Sequence, residues 1–174
     1  MPAPRFRVYI ATSLDGFIAT PDGGVAWLER FEGQDFGYEA FAAGIGTIVM
    51  GRTTFEQVLG FGDWPYPGKR TVVLSARRDP ELPHEARGAS DAAALVRELR
   101  AGAAGDVWIL GGARTIATFL ELGAVDALEL FVMPLLLGAG IRLFEPGTAA
   151  TLRLGGTTTY PSGAVRLLYE VDRS

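Results

Sequence analysis

The sequence predicts an α/β fold of three layers, in which helices cover both faces of a mostly parallel central sheet and antiparallel strands complete its C-terminal part. Short, continuous apolar strands alternate with helical segments along most of the chain, as is typical of parallel strands buried on both faces. Near the C-terminus two strands are separated only by Pro161-Ser162-Gly163, which is typical of a hairpin. The length of 174 residues favours one domain, over residues 1–174.

The first half of the chain contains three predicted strands and two predicted helices. The strands are short apolar runs at residues 6–11, 47–50 and 70–74. Residues 12–24 contain two Asp-Gly pairs and a proline, and they are predicted to form a loop. One helix is expected over residues 35–43, and another, capped by Thr53 or Thr54, is expected to end at Leu59.

The second half repeats this alternation before the hairpin. Ser90 is predicted to cap a helix over residues 91–101, and another helix follows Gly111-Gly112 as far as Leu122. The remaining predicted strands lie at residues 107–110, 127–133, 151–159 and 164–171. Strands and helices in this order give the three predicted layers.

Composition excludes several classes of function. The chain has no cysteine and one histidine, His84, which excludes thiolate chemistry and a metal site built from several histidines. The net charge of −4 argues against a nucleic-acid-binding protein. No apolar run is long enough to cross a membrane, and the first residues are not followed by the apolar core of a signal peptide. We therefore expect a cytoplasmic protein without a metal site.

Three turns that follow predicted strands combine glycine or hydroxyl groups with arginine. They are Gly51-Arg52-Thr53-Thr54, Ser75-Ala76-Arg77-Arg78 and Gly111-Gly112-Ala113-Arg114-Thr115. Ligands of open α/β sheets bind at the carboxyl ends of the strands, where the N-terminus of a following helix attracts phosphate. The turns predict a site for a pyrophosphate and one further phosphate, although each turn alone also fits ordinary turn chemistry. The glycine patterns of a standard Rossmann site and of a P-loop are both missing.

Four segments in order carry a resemblance to a known superfamily. They read V-Y-I-A-T-S-L-D-G-F-I-A, T-I-V-M-G-R-T-T-F-E, V-W-I-L-G-G-A-R-T and V-M-P-L-L-L-G-A-G-I-R-L-F. Together they resemble the dihydrofolate reductase superfamily, and within it the reductase domain of the bacterial riboflavin deaminase–reductase and its stand-alone relatives. The resemblance extends from Val8 to Phe144 and implies a dihydrofolate reductase-like fold.

The resemblance implies an NADPH-dependent reductase and gives each turn a role. The turn at Gly51 would bind the cofactor phosphates, the turn from Ser75 to Arg78 the adenosine 2′-phosphate, and Gly111-Gly112 with the next helix the pyrophosphate. Ala11 would contact the nicotinamide carboxamide through its backbone. The loop that includes Asp15 and Gly16 would close over the nicotinamide, although Asp15 also fits a residue that only shapes the turn.

The reduction of a C=N or C=O bond needs a proton as well as a hydride. With no cysteine and one histidine, the donor must be a carboxylic acid, tyrosine, lysine or water. In the superfamily a pterin-binding carboxylate lies at the start of the helix that Asp35 begins, so Asp35 is the candidate catalytic residue. Glu39, four residues later, is the candidate for a substrate contact on the same face. The alternatives are that Asp35 only caps the helix and that Glu39 is solvated.

The substrate stays open between a pyrimidine-like and a pterin-like heterocycle. Trp27 is a candidate wall of the substrate pocket, with core packing as its alternative, and Leu137 lies in a stretch that borders the substrate site in the riboflavin branch. That branch often has a basic residue after S-L-D-G, where this chain has Phe17, and the zinc deaminase motif is missing. The alternatives are dihydrofolate reductase activity and a regulatory protein that binds the nucleotide without turnover.

Apolar residues near the C-terminus predict a homodimer. Residues 154–160 carry no charge that would protect an exposed strand edge. The apolar residues exceed what one face of a small sheet can bury: Leu130, Val132, Leu135, Leu136, Leu137 and Ile141. A second copy related by a two-fold axis would cover both features, and the alternative is a monomer whose helices cover them.

Overall fold

The computed structural model describes residues 2–77 and 81–172. In chain order, the strands are β1 (Phe6–Ser13), β2 (Phe17–Ala19), β3 (Ile45–Gly51), β4 (Arg70–Leu74), β5 (Arg87–Ala89), β6 (Asp106–Gly111), β7 (Ala127–Met133), β8 (Ile141–Arg142), β9 (Leu152–Thr159) and β10 (Val165–Val171). The helices are α1 (Tyr38–Ala43), α2 (Arg52–Leu59), α3 (Ala92–Gly102) and α4 (Ala113–Glu121), with short 3₁₀ helices at Ala26–Phe31 and Pro83–Glu85.

The main sheet has eight strands in the order β5-β4-β3-β6-β1-β7-β10-β9. Every pairing from β5 to β7 is parallel, and β10 pairs antiparallel with both β7 and β9. The prediction of a mostly parallel sheet completed by a C-terminal hairpin is therefore confirmed. The carboxyl ends of β1, β3 and β6 lie side by side in the middle of the sheet.

Alternating side chains of the sheet enter two cores, one on each face. Val8 and Ile109 pack with Leu99 of α3 and Phe119 of α4 on one face. On the other face, a separate cluster includes Phe41 of α1, Phe55 of α2 and the sheet residues Ile48, Met50 and Trp108. Helices therefore cover both faces, which gives the three predicted layers.

The predicted loop at residues 12–24 contains more structure than expected. β1 continues to Ser13, and β2 pairs antiparallel with β8, with Phe17 opposite Arg142. β2 and β8 have three and two residues. Strands of that length are too short to show a hydrophobic period, so this pair of strands could not be predicted from the sequence.

Three helix starts differ from the prediction. α1 begins at Tyr38 rather than at residue 35, because Gly37, with φ of +75°, occupies its N-cap position. α2 begins directly after Gly51, so Thr53 and Thr54 lie inside its first turn instead of capping it. Asp91, not Ser90, caps α3, where its carboxylate accepts a hydrogen bond from the N–H of Ala94 at 2.9 Å.

Two features are absent from the described part of the chain. Its helices are all too short or too polar to cross a membrane. Residues 2–77 and 81–172 contain no group of three or more histidine or carboxylate side chains that could hold a metal ion.

Candidate cofactor and substrate cleft

A cleft of about 570 Å³ opens at the carboxyl ends of β1, β3 and β6. Ten of the predicted cofactor-binding residues line it: Ala11, Gly51, Arg52, Thr53, Thr54, Gly111, Gly112, Ala113, Arg114 and Thr115. Two of the three turns singled out in the sequence therefore meet in one cavity, together with the end of β1.

Two helices begin at this cleft. α2 starts at Arg52 after Gly51, and α4 starts at Ala113 after Gly112. No side chain caps either N-terminus, so the first N–H groups of both helices are left for a ligand. Because a helix N-terminus also carries partial positive charge, the arrangement suits the phosphates of a dinucleotide.

The glycines of the two turns allow the backbones to approach closely. A Cβ atom on Gly51 would lie 2.8 Å from the Thr115 hydroxyl, and one on Gly112 would lie 3.4 Å from the Thr54 hydroxyl. Gly111 has a φ of +131°, which other residues rarely adopt. The positive φ of Gly111 and the close contact at Gly51 therefore favour glycine at these two positions, whereas a Cβ on Gly112 would make an ordinary van der Waals contact.

The cleft has two arginines with different exposure. Arg52 is largely buried, with its Nε 3.7 Å from a Glu56 carboxylate oxygen. Arg114 lies at the mouth, with 92% of its side chain exposed and its Nε 3.8 Å from Glu145. Both arginines therefore lie in the first turns of α2 and α4, and each has a glutamate beside it.

The turn predicted to hold a 2′-phosphate lies just outside this cleft. Leu74, the last residue of β4, lines the cavity, and Ser75 follows it. The Ser75 hydroxyl accepts a hydrogen bond from the N–H of Arg77 at 3.1 Å, and the Arg77 side chain is exposed. Arg78 lies outside the described residues.

The Asp15 carboxylate links two loops by hydrogen bonds and does not line the cleft. It accepts hydrogen bonds from the Ser13 hydroxyl at 2.6 Å and from the N–H groups of Leu137 and Gly138 at 3.1 and 2.8 Å. The Ser13 hydroxyl and then these N–H groups hold the pKa of Asp15 below its ordinary value. Gly16 and Leu137 also lie outside the cleft lining, and Gly16 has a φ of +88°.

The expectation that Asp35 and Glu39 lie on one helical face is wrong. Asp35 and Glu39 are both exposed, and neither lines the cleft. Because α1 begins only at Tyr38, the two carboxylates do not share a helical face, and Asp35 instead accepts a hydrogen bond from the N–H of Gly37 at 2.8 Å. The structure thus places no predicted carboxylate in the cleft.

The Trp27 side chain packs against a hydrophobic cluster and does not line the cleft. It contacts a cluster that includes Phe31, Phe131 and Met133. Its Nε1–H is buried and has no hydrogen-bond partner among the described residues. The neighbouring Leu28 does line the cleft, so the 3₁₀ helix forms one wall, but through a different residue from the one predicted.

Other residues that line the cleft were not predicted. They include Ile18, Val25, Leu28, Gln57, Val58 and Phe61. The Gln57 amide donates a hydrogen bond to the carbonyl of Gly23 at 2.8 Å and so links α2 to the loop after β2. Gln57 and Val58 carried a sequence signal, since they lie three and four residues after Thr54 on the helix that follows the G-R-T-T turn.

Residues 4–166 match the RibD C-terminal domain family. The chain belongs to that family. The RibD C-terminal domain family and its structural neighbours support an oxidoreductase of the kind found in riboflavin biosynthesis, as the four sequence segments predict.

Relatives of the same length occur in Bacillus subtilis (strain 168). The uncharacterized protein YwjB is 37% identical over 166 residues, covering 93% of this chain and 95% of YwjB. The uncharacterized protein YyaP is 30% identical over 178 residues, covering 95% of this chain and 94% of YyaP. The riboflavin biosynthesis protein RibD of Corynebacterium ammoniagenes is 28% identical, and the chain spans 52% of its length.

Solved structures confirm the dihydrofolate reductase-like fold. A candidate riboflavin biosynthesis protein from Shewanella sp. PV-4 superposes with a TM-score of 0.86 at 29% identity, covering 97% of this chain and 99% of that one. Dihydrofolate reductase from Enterococcus faecalis, solved with NADP(H), superposes with a TM-score of 0.68 at 18% identity, covering 97% of both chains. The second likeness concerns the fold alone.

Proposed function

We propose that this protein is an NADPH-dependent reductase that transfers a hydride to a pyrimidine-like or pterin-like heterocycle. The observation that carries the proposal is the convergence of two uncapped helix N-termini and the Gly111-Gly112 turn on one cleft beside Ala11. Membership in the RibD C-terminal domain family supports the same reaction class.

The residues for the cofactor divide into two groups. The first turns of α2 and α4, with Gly111 and Gly112, would hold the pyrophosphate, and the backbone of Ala11 would contact the nicotinamide carboxamide. Arg77, beside Ser75, would pair with the 2′-phosphate of NADPH. Such a pairing is what selects NADPH over NADH.

The chemistry needs a hydride and a proton. NADPH supplies the hydride when bound, and the protein supplies position, because a correctly oriented pair of reactants needs little further rearrangement. Since Asp35 and Glu39 are exposed and outside the cleft, we propose that water entering the open cleft is the immediate proton donor. Asp35 would act at most through that water.

The pyrimidine substrate class is supported by structural neighbours. The Thermotoga maritima neighbour is a 5-amino-6-(5-phosphoribosylamino)uracil reductase, fused to a deaminase, with a TM-score of 0.69 at 15% identity. A pyrimidine reductase-like protein from Corynebacterium diphtheriae superposes with a TM-score of 0.62 at 17% identity. Dihydrofolate belongs in the same assay, because the fold is shared with dihydrofolate reductase.

We further propose a homodimer, located in the cytoplasm. Leu14 and Leu136 lie on adjoining loops and expose 66% and 68% of their surface, and β9 is the exposed edge of the sheet. Leu130, by contrast, is buried in the core, so it does not belong to the apolar patch expected from the sequence. A second copy covering the exposed leucines would remove apolar surface from water.

A nucleotide-binding role without turnover is the second candidate function. It is favoured by one observation, the exposed position of Asp35 outside the cleft. Steady-state oxidation of NADPH with a panel of pyrimidines, pterins and dihydrofolate separates the two candidates. Oxidation that depends on one heterocycle supports the reductase, whereas tight NADPH binding without oxidation by any member of the panel supports the second candidate.

A further inference from the structure

A second hollow adjoins the cofactor cleft. This outer hollow has a volume of about 450 Å³ and lies between the 3₁₀ helix Ala26–Phe31 and α2. Val25, Leu28, Gln57 and Phe61 line both cavities, so the two are direct neighbours. A heterocycle bound in the cleft would therefore have the outer hollow beside it.

The lining of the outer hollow is apolar and acidic. Apart from the residues shared with the cleft, it consists of Gly24, Ala26, Glu29 and Glu32. Among the lining residues that the structure describes, none is a lysine, arginine or histidine. The amide of Gln57 already donates to the carbonyl of Gly23. The described lining of the hollow therefore offers no cation for an anionic group.

The nearby arginines are directed elsewhere. Arg52 and Arg114 line the cofactor cleft but not the outer hollow. Arg30 lies over the ring of Phe31 at 5.6 Å, and Arg142 lies over the ring of Phe17 at 5.0 Å. Neither of these two lines either cavity.

We infer that the substrate is a heterocycle without a phosphate group, whose apolar substituent occupies the outer hollow, and that Glu29 and Glu32 disfavour phosphorylated analogues. This inference rests on the proposed reductase function. A phosphate dianion in this hollow would lose part of its hydration and lie near two carboxylates, so that binding is weakened by desolvation and by like-charge repulsion. An apolar substituent would instead cover Val25, Leu28 and Phe61.

Three uracil probes test the inference by calorimetric titration of the full chain with NADP⁺ present. They are 5-amino-6-(ribosylamino)uracil, its 5′-phosphate and 5-amino-6-(benzylamino)uracil. We expect the 5′-phosphorylated ribosyl compound to bind at least about tenfold more weakly than the unphosphorylated ribosyl compound. The benzyl compound should bind at least as tightly as the unphosphorylated ribosyl compound.

Charge reversal in the hollow provides the matched comparison. The double variant Glu29→Lys/Glu32→Lys is expected to reduce the difference between the two ribosyl compounds to less than about threefold. Glu121→Lys, on the exposed end of α4, makes the same change away from both cavities and should leave the difference unaltered. Circular dichroism checks folding, and Glu29→Gln/Glu32→Gln replaces the lysine variant if that variant does not fold.

Equal or tighter binding of the phosphorylated probe to the native protein would overturn the inference. So would a difference that neither double variant reduces, or a failure of all three probes to bind. NADPH is titrated separately without a heterocycle. Failure of that titration contradicts the proposed reductase itself, whereas normal NADPH binding with the wrong order of probes contradicts only the inference about the substrate.

Discussion

The access of a cofactor to the cleft depends on individual glycine residues. At Gly112, whose Cβ position lies 3.4 Å from the Thr54 hydroxyl, a valine would occupy space at the start of α4. We expect Gly112→Val to abolish NADPH binding, measured by fluorescence titration, because the backbone is no longer accessible to the pyrophosphate.

A glycine at a site without close neighbours serves as the control for this change. A Cβ on Gly102, at the end of α3, would meet nothing within 4 Å, so Gly102→Val should retain NADPH binding. If Gly112→Val folds with a normal circular dichroism spectrum and binds NADPH like the native protein, the pyrophosphate assignment is wrong.

Arg77 is the described arginine that would recognise the 2′-phosphate. A charge-assisted contact of this kind contributes about 1–3 kcal/mol. We therefore expect Arg77→Ala to reduce the ratio of the NADH and NADPH dissociation constants by roughly tenfold or more, mainly by weakening NADPH. Arg97→Ala, on the exposed side of α3, should leave the ratio unchanged. An unchanged ratio of dissociation constants in Arg77→Ala would show that Arg77 does not recognise the 2′-phosphate.

At the scale of elements, one carboxylate connects the end of β1 to the loop after β7. Asp15 has a lowered pKa in the folded protein because the Ser13 hydroxyl and the N–H groups of Gly138 and Leu137 stabilise its charged form. Its contribution to stability is therefore complete above the unfolded pKa of about 3.9 and is lost as the pH falls through the lower folded value.

Urea unfolding at a series of pH values measures this contribution. Asp15→Asn should lower the free energy of unfolding at pH 7, and its difference from the native protein should shrink only below a pH of about 4. Asp63→Asn, in an exposed loop, is the control and should change little. A difference for Asp15→Asn that stays constant through the acid range would contradict the role of its charge.

A buried carboxylate joins three strands of the sheet. Glu129 of β7 has 3% of its side chain exposed, and it binds Arg7 of β1 and Arg166 of β10, the latter at 2.6 Å. Removing it would leave two partly buried arginines without their shared partner. We expect Glu129→Ala to lower the free energy of unfolding by about 3 kcal/mol.

The exposed pair between Arg5 and Glu170 is the comparison for this change. Exposed ion pairs contribute little, so Glu170→Ala should cost less than about 1 kcal/mol in the same urea experiment. Similar losses in Glu129→Ala and Glu170→Ala would show that burial does not determine the effect.

Elements with long apolar runs were predictable from the sequence, and sites formed by distant segments were not. The limits of β4 (Arg70–Leu74) and β7 (Ala127–Met133) agree with the prediction. Each is a short, largely apolar run in the sequence with loop residues on both sides. The outer hollow lies between the 3₁₀ helix and α2. Its formation depends on tertiary contacts, which leave no pattern in the local sequence. The pattern predicted a helix start at residue 35, but Gly37 at the N-cap delays the start of α1 to Tyr38, which leaves Asp35 outside the helix.

At the scale of the whole molecule, the exposed leucines and the edge strand predict self-association. Light scattering at micromolar concentration is expected to give twice the chain mass of 18.6 kDa. Leu14→Asp combined with Leu136→Asp should shift the mass toward that of one chain, since both side chains are exposed in the single chain. A native mass near 18.6 kDa would contradict the dimer.

Binding of NADPH in the cleft is the property on which the reductase function depends, and an equilibrium titration measures it directly. The energy transfer from tryptophan to the reduced nicotinamide reports the binding. The geometry of the two helix N-termini and the Gly111-Gly112 turn predicts saturable binding of one NADPH per chain. The position of Arg77 beside Ser75 predicts that NADPH binds at least about tenfold more tightly than NADH. Absence of saturable binding, or equal dissociation constants for NADPH and NADH, would contradict it.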